Sequence, residues 1–338
     1  MLINLHSHLE GRVRLATAAE LDPRGGDARE WADALRLDAP GDLTAYLAKV
    51  AASYPLFARL DAIERIAREA VEDAAAAGGD YLELRFGPAT HAGGLGILEV
   101  IRAAVRGMRA ASAASGMPSG LVVAALRHHP AEVNDEVARA AARLAGEGVV
   151  GFDLAGDEAL HPELSVHRDA FAIARAAGLG LTCHAAEAGP ASAAREAVEL
   201  LGVTRIGHGV HIVDDPEVLR WASDSGVVVE TCPTSNWYTG GVALIAAHPA
   251  PRLRDAGVRL VLGDDNPVQT GVELAEERAL LQTRFGWTAE QLGELDRVSI
   301  DAAFLHPHEH DDLLGRLAVE AGSSRSTPTA DGRGPTHP

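Results

Sequence analysis

Lysine is nearly missing from this chain. Of its 338 residues, 30 are lysine or arginine, and Lys49 is the sole lysine. That scarcity removes whole reaction classes. A phosphate-binding P-loop needs a lysine at the phosphates, and Schiff-base or pyridoxal chemistry needs a lysine nucleophile. Lys49 lies in the helical-looking stretch DLTAYLAKVAA, with no glycine-rich loop before it. Cysteine is scarce as well. Cys183 and Cys232 cannot build a disulfide framework, and they fit a reducing compartment. The N-terminus MLINLHSHLEG lacks the basic and apolar regions of a signal peptide, and no run of about 18 uncharged apolar residues appears. The chain therefore reads as soluble and cytoplasmic. Positive charge is also in deficit, since 48 acidic side chains against 30 basic ones leave a formal charge of −18. Nucleic acid and anionic membranes are poor partners for such a surface, because phosphate contacts need basic patches.

What is present is a regular alternation. Eight short apolar runs rich in β-branched residues occur at 2–5, 81–86, 121–126, 149–154, 180–183, 204–206, 227–230 and 258–262. Alanine-rich segments of helical period separate them, among them 60–77, 98–115, 131–145, 166–177, 191–201 and 216–225. Strict alternation predicts parallel strands with helical crossovers, and eight strands are the number that closes a barrel. The expected fold is an α/β (β/α)8 TIM barrel. The stretch between residues 9 and 80 is too long for one crossover and should hold extra helices over the mouth, between strand 1 and strand 2. An open doubly wound sheet is the rival, but no GxGxxG turn follows the first strand. From Ala321 the chain becomes polar and rich in proline and glycine. One domain over 1–320 and a disordered tail over 321–338 are expected.

In such a barrel the C-terminal ends of the strands build the active site. His6 and His8, two residues apart on a strand, face the same way and can share one metal ion; the alternative is a pair of exposed or core-packed imidazoles. His184 adds a third imidazole and Asp264 a carboxylate, leaving a position open for water, as a catalytic metal requires. No lysine ends the run 149–154 to bridge two ions as a carbamate, so one ion per chain is favoured. Glu187 follows His184 closely enough to face the same mouth, where a dry pocket would raise its pKa and make it a proton donor. Its alternative role is a helix N-terminal glutamate favoured by the dipole. His208, between Gly207 and Gly209, could orient or deprotonate water, or simply be a buried histidine bonded to backbone. Asp265 should alternate away from Asp264, toward a substrate ring nitrogen, unless it caps the helix announced by Pro267. Gly156 offers close backbone approach or is a turn glycine. His128 and His129 end strand 3 and could line a pocket. Arg85 and His91 read as structural, with Arg85 pairing a carboxylate near the mouth. His306, His308 and His310 read as a solvated surface, and both cysteines as packed thiols.

Seven segments, in order along residues 2–316, resemble the motifs of the adenosine/adenine deaminase family of zinc-dependent barrel hydrolases. They are HSHLEG, YLELRFGP, GFDLAGDE, CHAAEAG, RIGHGV, ETCPTSN and LGDDNP. Each is weak alone, and their shared order is specific. The resemblance implies one Zn2+ per chain, held by His6, His8, His184 and Asp264. It implies that Glu187 protonates purine N1 while water activated at the zinc attacks C6. His208 would orient and deprotonate that water, with Asp265 at N7 and the Gly156 backbone at N3. Ammonia would leave and a 6-oxopurine form. His8 and Glu10 would complete the substrate contacts. Glu10 stands where adenosine deaminases of animals and enteric bacteria more often carry a ribose-binding aspartate, and in this it resembles adenine deaminases. Thr239-Gly240 resembles the nucleoside-type pattern instead. LGDDNP departs from the usual TDDP by placing Asn266 before Pro267, beside Asp265. The expected activity is hydrolytic deamination of a small-molecule purine nucleoside, adenosine or 2′-deoxyadenosine. Adenine, or a modified adenosine such as aminodeoxyfutalosine or a secondary-metabolite nucleoside, is the alternative substrate. A purine-binding barrel without activity is the non-enzymatic alternative. The sequence carries no sign of an oligomeric state.

Overall fold

The structure is a computed structural model that describes residues 1–22 and 24–324. Its centre is a ring of eight strands in chain order. They are β1 (Ile3–His8), β2 (Tyr81–Phe86), β3 (Ser119–Leu126), β4 (Val149–Ala155), β5 (Gly180–Ala185), β6 (Arg205–His208), β7 (Val228–Thr231) and β8 (Arg259–Leu262). Each strand pairs in parallel with the next. The rim draws β1 and β8 together: His8 N–H donates to the Asp265 carbonyl at 2.7 Å, and Asp265 N–H to the His6 carbonyl at 2.9 Å. The barrel expected from the alternation is therefore present.

Both faces of each strand are covered, which is why the strands read as nearly continuous apolar runs. On β2 the period of two sends Leu82, Leu84 and Phe86 outward into one core with Ile63, Ile66, Val100 and Ile101 of the flanking helices. The alternate residues Glu83 and Arg85 point inward and are fully buried. They are paired there rather than stranded. Arg205 donates to Glu83 at 2.5 Å and to Glu230 at 2.7 Å, while Arg85 donates to Glu230 and, at 3.0 Å, to Asp153.

Four helices lie between β1 and β2, as the length of that stretch required: α1 (Leu15–Leu21), α2 (Ala28–Leu35), α3 (Leu43–Ala51) and α4 (Leu60–Ala76). The Asp42 carboxylate caps α3 by accepting from Ala45 N–H at 2.8 Å. This helix crosses the barrel mouth and presents Leu43, Tyr46, Leu47 and Val50 to the cavity beneath. The final helix, Pro307–Ser324, runs four residues into the expected tail. Residues 325–338, the remainder of that tail, lie outside the described residues. Among the described residues no helix is long and apolar enough to cross a membrane.

Candidate active site

The strand ends bring His6, His8 and His184 together, with one ring nitrogen from each within 4.8 Å of the others. Two of these rings are oriented from behind. His6 Nδ1–H donates to Glu230 Oε2 at 2.8 Å, and His184 Nδ1–H to Asp153 Oδ2 at 3.1 Å. A carboxylate on Nδ1 fixes the tautomer that leaves Nε2 bare. His6 Nε2 is indeed buried without a hydrogen-bond partner, and His8 Nε2 lies 3.2 Å from His184 Nε2. Bare nitrogens converging in this way fit a divalent metal ion and would be costly without one. Arg85 ties both supporting carboxylates together, the role expected of it, and also donates to the Leu5 carbonyl at 2.9 Å.

Electrostatics favour the neutral, ligating form of two of the three rings. Burial, then charge from neighbours including Arg85 and His184, holds His6 and His8 well below the ordinary histidine pKa. Burial also opposes charge on His184, but Asp153 outweighs it and raises that ring. Burial would raise Asp153, yet His184 and Arg85 together hold it well below the carboxylate range.

The carboxylate beside the imidazoles is not the one that strand alternation selected. Asp264 turns under the rim and accepts from Arg12, whose Nε–H also donates to Ser7 at 2.7 Å. Asp265 instead places Oδ1 3.4 Å from His8 Nε2 and 3.7 Å from His6 Nε2. The cause is local. β8 ends at Leu262, and Asp265 adopts a left-handed backbone, φ 58°, which breaks the alternation. Gly263 lets the chains approach here, since a Cβ would fall 2.4 Å from the His6 Cβ. Asp265 is then held by three donors: Ser235 at 2.5 Å, Tyr46 of α3 at 3.0 Å, and Asn266 at 2.8 Å. Neither Tyr46 nor Ser235 carries a site signal of its own in the sequence, where Asn266 marks only a change in the loop. Asn266, not Asp264, lines the cavity with Asp265.

Glu187 also faces this centre. The carboxylate of Glu158 accepts the backbone N–H groups of Ala186, Glu187, Ala188 and Gly189 at 2.9 to 3.1 Å, and so fixes the turn that carries it. Ala186 and His208 join Asp265 as the non-glycine residues with positive φ among the described residues, and all three sit on the rim. Burial, followed by the negative charge of Asp265, pushes the Glu187 carboxyl up to about 8. His208, at the end of β6, has Nε2 3.6 Å from Glu187 Oε2, and burial first holds its pKa well below the ordinary value.

Above these groups is a cavity of about 380 Å³, lined by His8, Glu10, Gly156, Glu187 and His208 as well as α3. Glu10 Oε1 accepts from His91 Nε2 at 3.1 Å and from Gly87 N–H at 3.4 Å, while its Oε2 is buried without a partner. Gly156 has φ 107°, which excludes most side chains at that wall. His128 reaches the cavity; His306 and His308 are exposed, and His310 is partly so. Cys183 and Cys232 are buried free thiols, raised by that burial.

A parallel ring with imidazoles and carboxyl groups gathered on its C-terminal rim, beneath a lidded cavity, defines a barrel hydrolase of the amidohydrolase kind. The family described as adenosine deaminase matches residues 2–319, and the chain belongs to that family. As a member it is an aminohydrolase. An adenosine deaminase of Clostridium perfringens is 34% identical over 310 residues, 89% of this chain and 93% of that one. A zinc-bound amidohydrolase from Burkholderia ambifaria superposes with a TM-score of 0.84 at 25% identity, covering 96% of this chain and 92% of the other. The N6-mAMP deaminase of Arabidopsis gives 0.84 at 26% identity, with 94% and 97% covered.

Proposed function

We propose that this chain hydrolytically deaminates a 6-aminopurine nucleoside, adenosine or 2′-deoxyadenosine, with one zinc ion held by His6, His8, His184 and Asp265. The observation that carries this reading is the convergence of the His6, His8 and His184 ring nitrogens beside a buried carboxyl group, Glu187, whose pKa burial raises. Bound zinc supplies an activated water. Glu187 gives its proton to purine N1, which makes C6 electron-poor; of the two protons the attacking water would release, one would leave with the amino group as ammonia and the other would restore Glu187. Asn266 and the Gly156 backbone, both on the cavity wall, bind ring nitrogens, so Asn266 takes the place first assigned to Asp265. The unpartnered Glu10 Oε2 accepts a sugar hydroxyl, which favours a nucleoside over a bare base. The names borne by relatives at 34% identity support the same substrate class.

The test is ammonia release by the zinc-loaded protein from adenosine, 2′-deoxyadenosine, adenine, AMP and aminodeoxyfutalosine. Adenosine and 2′-deoxyadenosine should yield inosine and 2′-deoxyinosine. Turnover of adenine alone would overturn the nucleoside reading, and turnover of none would overturn the deaminase.

A further inference from the structure

Four imidazoles meet at the rim, His6, His8, His184 and His208, with neighbouring ring centroids 4.7 to 5.5 Å apart. Hydrogen bonds behind them separate His208 from His6 and His184. His6 and His184 donate from Nδ1 to carboxylates. His208 meets no carboxylate at Nδ1 but the side-chain amide of Asn236, at 2.9 Å. That amide in turn meets His248 Nε2 at 3.1 Å. His248 Nδ1 meets the backbone N–H of Ala250, also at 3.1 Å. His208, Asn236 and His248 are 2%, 0% and 4% exposed, so water does not substitute for any link.

The direction of every bond in this chain follows from its last member. A backbone amide only donates, so His248 Nδ1 is bare and the ring proton sits on Nε2. His248 Nε2–H then donates to Asn236 Oδ1, which leaves Asn236 Nδ2–H to donate to His208 Nδ1. His208 Nδ1 is an acceptor, and its proton lies on Nε2, the nitrogen facing Glu187. The reverse polarity fails. A proton on His208 Nδ1 would turn the Asn236 amide round and aim its N–H at His248 Nε2. Both nitrogens of His248 would then have to be bare, a state only an imidazolate reaches.

We propose that His248, acting through Asn236, is a positioning residue that sets the tautomer of His208, so that His208 presents an N–H and not a lone pair to the reaction centre. This has two consequences. His6, His208 and Cys232 also lie close enough to hold an ion, but a protonated His208 Nε2 takes that nitrogen out of the ligand set. An oxygen placed between His208 and Glu187 receives a hydrogen bond from His208, so orienting water fits this tautomer and accepting its proton at Nε2 does not. Only the kinetic part of the following test rests on the function proposed above.

Long-range proton–nitrogen correlation NMR on zinc-loaded protein with 15N-histidine reports which ring nitrogen of His208 carries the proton. The expected wild-type result is Nε2–H. His248→Gln keeps a donor toward Asn236 and should keep the tautomer. His248→Glu puts an acceptor there, turns the amide round and should move the His208 proton to Nδ1. Asn236→Asp demands the same change from the neighbouring position and keeps the test intact if His248→Glu fails to fold. A wrong catalytic tautomer costs up to about 10⁴-fold in other enzymes, so kcat should fall at least about tenfold in the two reversing variants, with KM within about twofold. His248→Gln should recover most of that loss. A wild-type Nδ1–H, or an unchanged tautomer in both reversing variants, would overturn the inference. The expected tautomers in a protein that deaminates no aminopurine would overturn the proposed function and leave the relay standing.

Discussion

Glu187 is retuned by its surroundings. Burial comes first and the Asp265 charge second, and together they push its carboxyl up to about 8 from an ordinary value of 4.5. At neutral pH the group therefore holds the proton that the reaction needs. As pH rises through about 8 it ionises, and kcat/KM for adenosine should fall along that limb. Glu187→Gln can still hydrogen-bond to N1 but has no proton to transfer. Its kcat should drop at least about a hundredfold, and the limb near pH 8 should vanish from the residual rate. Stability moves by the same linkage. A folded pKa above the unfolded one gives a contribution that is complete below the unfolded pKa and is lost as pH rises through the folded one. Between about pH 4.5 and pH 8 the wild type should therefore lose melting temperature that Glu187→Gln does not lose. Full activity in Glu187→Gln would remove the residue from the mechanism.

At the scale of elements, the strand ends divide what was readable in the sequence from what was not. Alternating apolar runs revealed the ring, and the span between residues 9 and 80 revealed the helices over its mouth. His6 and His8 were legible because they lie within β1, where the period of two holds. Asp264 and Asp265 lie beyond β8, where it does not, and the left-handed Asp265 exchanges their directions. The contacts of Tyr46 with Asp265, across 219 positions, and of Glu158 with the Glu187 turn depend on how α3 and the loop after β4 settle over the rim. A period within one element says nothing of where that element docks, and a loop has none, so the sequence held no signal for either. The exchange at β8 is testable by metal content. Outer-shell changes cost about 10- to 100-fold in metal affinity, so Asp265→Asn should lose zinc by more than about 100-fold. Asp264→Asn should keep its zinc but melt lower, because buried Arg12 loses a carboxylate partner. Chelator competition and thermal melts distinguish the two, and the opposite pattern would restore Asp264 as the ligand.

At the scale of the whole molecule, the charge of the chain and the charge of its cavity agree in sign. The chain carries −18, and among the described residues lining the cavity there is no lysine or arginine. Glu10 and Asp157 are on that wall besides Glu187 and Asp265 of the reaction centre, and burial, then His161, lowers the pKa of His128, which also lines it. A 5′-phosphate would thus meet carboxyl groups and no lysine or arginine. Two like unit charges about 4 Å apart repel by about 4 kcal/mol at an effective dielectric constant near 20. AMP should therefore show kcat/KM at least about 100-fold below adenosine, a difference of about 2.8 kcal/mol. The N6-mAMP deaminase of Arabidopsis shares the barrel, so such a preference would have to come from the side chains on the wall and not from the barrel itself. Salt separates the two sources of repulsion. Raising ionic strength from about 0.01 M to 1 M shortens the Debye length from about 30 Å to about 3 Å, which removes repulsion by the distant surface but little of that inside the cavity. The deficit of AMP should narrow over that range and still exceed about tenfold at its end, whereas equal turnover of AMP and adenosine at any salt would show that the wall does not select against phosphate.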